Sequence, residues 1–248
     1  MRDNIHHHKQ TEVNQLNKIA KSQDSKNPDR FNEFLRIIDD DHISYNKNTP
    51  LRKDAFLMDD ESKINKIELH FQEIMKTIGL DLTDDSLKNT PRRVAKMFVN
   101  EIFSGLNPDN KPDITLFKNK YEYNQMLVEK DINVQSYCEH HFVPIIGKAH
   151  IAYFSNEHVI GLSKINRIVD HFARRPQVQE RLTEQIAEEL KQVLKTDDIA
   201  VIIEAKHMCV AMRGIKDNGS STTTSSFHGK FTNGEIKNEF LTYIYSRL

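Results

Sequence analysis

The sequence predicts an α+β fold in which antiparallel strand pairs sit beside helices, and three observations carry that prediction. Apolar residues recur at three- and four-residue spacing in several separate stretches. Two other stretches shorten the period toward two and are rich in β-branched residues. No internal repeat runs along the 248 residues.

The elements follow in order. Residues 1–27 are dominated by Asn, Lys, Gln and Asp, a composition that buries too little apolar area to offset chain entropy, and are expected to be a disordered extension. His6, His7 and His8 within it have the chemistry to chelate a metal, but a short run on a polar tail is more simply a solvated one. From Pro28 a short helix is expected on Phe31, Phe34, Leu35 and Ile38, followed by linker to about Asp59. A stronger helix is expected from about Asp60 to Ile78, with Ile64, Ile67, Phe71, Ile74 and Met75 on one face and Gly79 as its stop. Thr90 and Pro91 mark another start, with Thr90 as cap, running on to Gly105. Residues 28–105 thus form an N-terminal helical region and 106–248 an α+β domain. In the latter, strands are expected over 142–154 and 199–205. Between them lie one helix from Ser163 to Arg175 and a second carrying Val178, Leu182, Ile186, Leu190 and Leu194. Asp217, Asn218 and Gly219 make a turn, and a last helix spans about Glu235 to Arg247.

Charge excludes several functions. Lys and Arg total 35 against 36 Asp and Glu, so the field of a duplex nucleic-acid binder or a membrane-surface protein is missing, and any cationic site is local. No stretch approaches the ~18 apolar residues of a membrane span, and Met1 to Gln10 lack a signal-peptide core, so a cytoplasmic location is expected.

A reducing cytoplasm gives the two cysteines, Cys138 and Cys209, a use other than a disulfide. Cys138-Glu139-His140-His141 is expected at the entry to one strand, and His207-Met208-Cys209 at the exit of another. Thiolate and imidazole are the donors zinc prefers, and the spacing of Cys138 and His141 lets both turn to one point, with Cys209 as third donor. Three protein ligands leave a fourth tetrahedral position for water, whose pKa zinc lowers to ~7, so the count implies catalysis more than scaffolding. The competing account makes both cysteines small buried hydrophobes. His140 and His207, beside the ligands, suit proton transfer near neutral pH or simple support of the ligands.

Cations recur in short groups: Arg93 and Lys96, then Lys164 and Arg167 on the first turn of a helix, then Arg213 just after Cys209. Ser163 and Lys164 at a helix N-terminus suit a phosphate. Gln179 and Glu180 open the following helix, where a carboxylate is either stabilised by the dipole or accepts N–H bonds from a base edge. The hydroxyl-rich run from Ser220 to Ser226 lacks the glycines of a P-loop and reads as a strand edge.

Taken together, CEHHF from Cys138, GLSKINRIV from Gly161, RPQVQERLT from Arg175, HMC from His207 and RG at Arg213 closely resemble GTP cyclohydrolase I, as do TPRRVAKMF from Thr90 and EIFSGL from Glu101. The resemblance covers roughly Thr49 to Leu248. It implies a tunnelling-fold (T-fold) unit, an antiparallel sheet with helices packed on one face, assembled as a homodecamer with active sites shared between subunits. It implies conversion of GTP and water to formate and 7,8-dihydroneopterin triphosphate, the entry to folate-type and other pterins, with Zn2+ on Cys138, His141 and Cys209. By the same resemblance His207 protonates N7 of the purine while zinc-bound hydroxide attacks C8, and His140 is a neighbouring acid-base group. Gln179 and Glu180 hold the guanine edge. Ser163, Lys164, Arg167, Arg213, Arg93 and Lys96 form the triphosphate pocket, Ser163 also assisting the sugar rearrangement. Two alternatives remain open at this level: a tunnelling-fold nitrile reductase using a cysteine nucleophile, and a binding module that keeps fold and metal without turnover.

Overall fold

The computed structural model describes residues 47–246. The polar extension and the helix expected on Phe31 to Ile38 lie outside the described residues. Among the described residues two helices come first, α1 (Asp60–Thr77) and α2 (Thr90–Met97). Asp59 caps α1 by accepting from the Ser62 amide at 2.9 Å, and Gly79 ends it at φ +90°. Arg92 clamps α2 onto α1 by reaching Glu61, Asn65 and Glu68. Thr90 is not the cap expected of it: Asn89 precedes the helix in helical geometry, and no side chain caps α2.

The second helix also stops early. It passes into a π-turn at Phe98–Ile102 and 3-10 turns at Ser104–Leu106 and Pro108–Asn110. Gly105 is needed for close approach as well as termination, since a Cβ there would stand 2.0 Å from the His171 carbonyl oxygen. Arg175 fastens the same spot, donating to the Gly105 carbonyl (2.8 Å) and to Nε2 of His171 (2.8 Å).

Next come β1 (Leu116–Lys118), β2 (Met126–Cys138), β3 (Pro144–Phe154), β4 (His158–Ile160), α3 (Leu162–Ala173), β5 (Pro176–Gln177) and α4 (Gln179–Leu194). The chain closes with β6 (Ile199–His207), the single turn α5 (Met208–Ala211), β7 (Thr222–Phe227) and α6 (Gly234–Tyr245). Five strands form one sheet in the order β5-β2-β3-β6-β7, antiparallel except for the β2 and β5 pair, while β1 and β4 pair separately.

One sheet face, through Val134, Ala149, Ile151, Tyr153, Val201 and Ile203, packs on Ile165, Ile168 and Val169 of α3 and on Leu182, Ile186 and Leu190 of α4. The helices were expected on one face only, but α6 departs from that. Its Phe240 packs with Phe231, Met126, Ala152, Ala200 and Ile202 on the opposite face, because alternate strand residues there are apolar too. Five of the first five residues of β6 are buried, so that strand is covered on both sides.

Candidate active site

Sheet register assembles the site. Tyr137 pairs with Pro144, and Ile145 pairs with His207, so the β2–β3 hairpin tip lies beside the end of β6. The CEHH run leads into β3, at the entry to a strand as expected, and Cys138 is also the last residue of β2, a strand the sequence did not show. Its amide donates to the Val143 carbonyl (2.9 Å) and its carbonyl accepts from the Phe142 amide (2.8 Å), which closes a five-residue tip carrying His140 and His141. Phe142 enters the left-handed region at φ +54° to make that turn. Phe103, from the turns after α2, supports the tip with ring centroids 5.1 Å from Phe142 and 5.8 Å from Tyr137.

On the other side, α5 begins directly after His207 and turns Cys209 back toward the hairpin. Donor atoms of Cys138, His141 and Cys209 consequently lie within 4.8 Å of one another, and both cysteines are thiols. Donors about 2.3 Å (sulfur) and 2.0 Å (nitrogen) from a tetrahedral zinc are ~3.5–3.8 Å apart, so the trio fits such an ion with a small contraction. Burial, and then the neighbouring Cys138, push the Cys209 thiol up. Two thiols held together, Cys138 buried and Cys209 half-buried, favour a cation between them to stabilise their thiolates. A second group, Glu184, Glu188 and His228, also converges, but its ordinary partners account for it: Glu188 accepts from Lys191 (3.1 Å) and His228 bonds Ser226 (2.7 Å).

The remaining residues divide sharply. His140 joins the trio, with Nδ1 at 3.7 Å from the Cys138 sulfur. Arg213 reaches Nε2 of His141 at 2.8 Å. Parallel pairing of Cys138 with Gln177 brings the start of α4 alongside, so Gln179 meets His207, Oε1 to Nε2, at 2.7 Å. Burial lowers the His207 pKa, opposed by the charge of the exposed Glu180 carboxylate.

Gln179, expected to touch a guanine edge, is only 1% exposed and spends its amide on protein: Nε2 donates to the carbonyls of Ile203 (3.0 Å) and Thr222 (2.9 Å) and to Oγ1 of Thr224 (3.1 Å). By contrast Ser163, Arg167, Arg93 and Lys96 are exposed and Lys164 half-buried. Among the described residues, no hydrogen bond or ion pair joins these five to the cysteine and histidine trio.

Sequence reasoning missed two supports. Arg181, with its side chain 4% exposed, donates to both Glu139 carboxylate oxygens and braces the tip against α4. Thr224 holds Gln179. Apolar neighbours at helical spacing around Arg181, and a Glu inside the CEHH run, were the available signals for the first; nothing local signalled the second.

Fold and site thus define a centre built on strand ends, with a thiol and imidazole group that could hold a metal ion. Comparison with known proteins agrees. The family model for GTP cyclohydrolase I matches residues 67–245. The chain is 59% identical over 212 residues to GTP cyclohydrolase 1 of Flavobacterium johnsoniae, covering 86% of this chain and 95% of that one. It is 54% identical over 194 residues to the same-named proteins of Yersinia pseudotuberculosis (78% and 87% covered) and Aeromonas salmonicida (78% and 88% covered). The chain belongs to the GTP cyclohydrolase I family and is an enzyme of that type. No helix among the described residues is long and apolar enough to cross a membrane.

Proposed function

We propose that the protein uses zinc on Cys138, His141 and Cys209 to convert GTP and water into formate and 7,8-dihydroneopterin triphosphate, the first step toward tetrahydrofolate and other pterins. The observation that carries this reading is the convergence of three zinc-type donors on adjoining strand ends, next to His207 at the end of β6, whose partner charge is Glu180 in the first turn of α4, in a chain of this family. Zinc bound there supplies Lewis-acid activation of water.

The protein's own groups do the rest. Glu180 presents a carboxylate to N1–H and the 2-amino group of guanine, two donors that adenine lacks, so GTP is chosen over ATP. His207, kept mostly neutral by burial, exchanges a proton with N7 of the purine, and His140 serves as a second proton carrier beside it. Lys164, Arg167 and Arg213, with Arg93 and Lys96, bind the triphosphate, helped by the N-terminus of α3 at Ser163. Ser163 also assists the later sugar rearrangement.

Because four of those five cations stand apart from the metal-binding trio within one chain, this reading includes a homo-oligomer, a decamer with sites completed between subunits. It also includes a cytoplasmic location, and neither nucleic-acid nor membrane partners. Incubation with GTP, followed by oxidation and dephosphorylation, tests it: a fluorescent pterin and one formate per GTP are expected. GTP binding with no formate released contradicts the proposal and favours a noncatalytic module.

A further inference from the structure

We propose that Gln179 is a positioning residue that fixes His207 with its proton on Nε2 and leaves the Nδ1 lone pair available to the reaction, so that the Gln179 side chain does not itself contact guanine.

Hydrogen-bond chemistry determines the assignment. Carbonyl oxygens only accept, and the Gln179 side-chain nitrogen lies between two of them, those of Ile203 and Thr222. That end must be the NH2, which leaves Oε1 pointing at Nε2 of His207, 2.7 Å away. An amide oxygen also only accepts, so the imidazole donates. In neutral imidazole the single proton then sits on Nε2, and the Nδ1 lone pair is available to take a proton.

The arrangement is rigid. Gln179 donates to Oγ1 of Thr224, Thr224 contacts Thr183 (2.6 Å), and Thr183 donates to the Gln179 backbone carbonyl (2.8 Å), a closed ring that joins the start of α4 to the edge strand β7. The hydroxyl-rich run of β7 thereby gains a use beyond that of a strand edge. A side chain so enclosed has no polar atom left for substrate, whereas the adjacent Glu180 is exposed. Supports of this kind, which orient a reacting group through one hydrogen bond, lower rates by about 10–100-fold when removed.

This inference rests on the proposed reaction for the role of His207, but its test is separable. Gln179→Met, nearly the same shape without the amide, and Thr224→Val, which removes only the ring hydroxyl, are compared with the zinc-loaded wild type by calorimetric GTP titration and single-turnover formate release. Neutron diffraction of the wild type locates the His207 proton. Expected are GTP affinities within about 3-fold of wild type, a rate lowered about 10–100-fold in Gln179→Met and less in Thr224→Val, and a proton on Nε2. A tenfold or greater loss of GTP affinity at unchanged rate, or a proton on Nδ1 alone, overturns it. If Gln179→Met does not fold, Thr224→Val and the proton position still decide. Wild-type protein that releases no formate defeats the proposed reaction, while the neutron map still settles the tautomer.

Discussion

Two halves of the candidate site are built in opposite ways. The thiol and imidazole half is fixed inside one chain: strand register sets Cys138 against the end of β6, and Arg181 and Gln179 hold Glu139 and His207 at its edges. The proposed phosphate half stands on helix starts and faces, Arg93, Lys96, Ser163 and Arg167 exposed and Lys164 half-buried, with no bond to the first half among the described residues. Bond-making chemistry needs groups held to within a fraction of an ångström, and buried hydrogen bonds supply that. Long cationic side chains gathering a polyanion work by field and number, so they tolerate exposure and remain adjustable until substrate arrives.

The largest effect that would sharpen this contrast is expected for Cys209→Ala. Removing one of three ligands should abolish stoichiometric zinc binding and lower formate release by ~10³-fold or more, with the sheet intact by circular dichroism. Retained activity would break the distinction at once. Next in size is Glu180→Gln, which sets an amide donor against guanine donors: GTP affinity should fall by about 1–3 kcal/mol, read by titration, with bound zinc unchanged.

Comparable in energy is a pH effect on the fold that supports the site. Burial, and then the adjacent Arg175 charge, lower the His171 pKa from 6.5 to about 4. Between those values the unfolded chain binds the proton and the folded one does not. Stability is therefore full above about pH 6.5, falls as pH drops toward 4, and levels off below. The loss at pH 4 is expected to be about 1–3 kcal/mol by denaturant titration, largely absent in a His171→Gln variant of similar fold. The smallest change is expected for Arg167→Ala, an exposed charge: GTP binding should weaken about 10-fold at low salt and less at high salt, with zinc content unaffected.

Sequence showed the two halves unequally. Helical periodicity located α1, α3, α4 and α6 to within a few residues, because each carries one apolar stripe. It did not show β2, the longest strand. Alternation there survives only from Ile132 to Cys138, and a bulge at Lys130 and Asp131, with Asp131 at φ +63°, shifts the register in between. Without β2, the CEHH segment reads only as the entry to β3, and its position as the tip of a β2–β3 hairpin stays hidden. That Cys138, His141 and Cys209 form one donor group was nevertheless legible, since residue chemistry and spacing suggest it without the fold. The partners of the Gln179 side chain were not legible for the opposite reason: Ile203, Thr222 and Thr224 are far away in sequence, and only the folded sheet shows that its amide is already engaged.

The most direct measurement follows formate release from GTP as metal-stripped protein is titrated with zinc. No release before addition, and a linear rise that saturates at one zinc per chain, is the predicted result. Full release from protein shown to be free of metal would contradict the assignment of Cys138, His141 and Cys209 as the centre of the reaction.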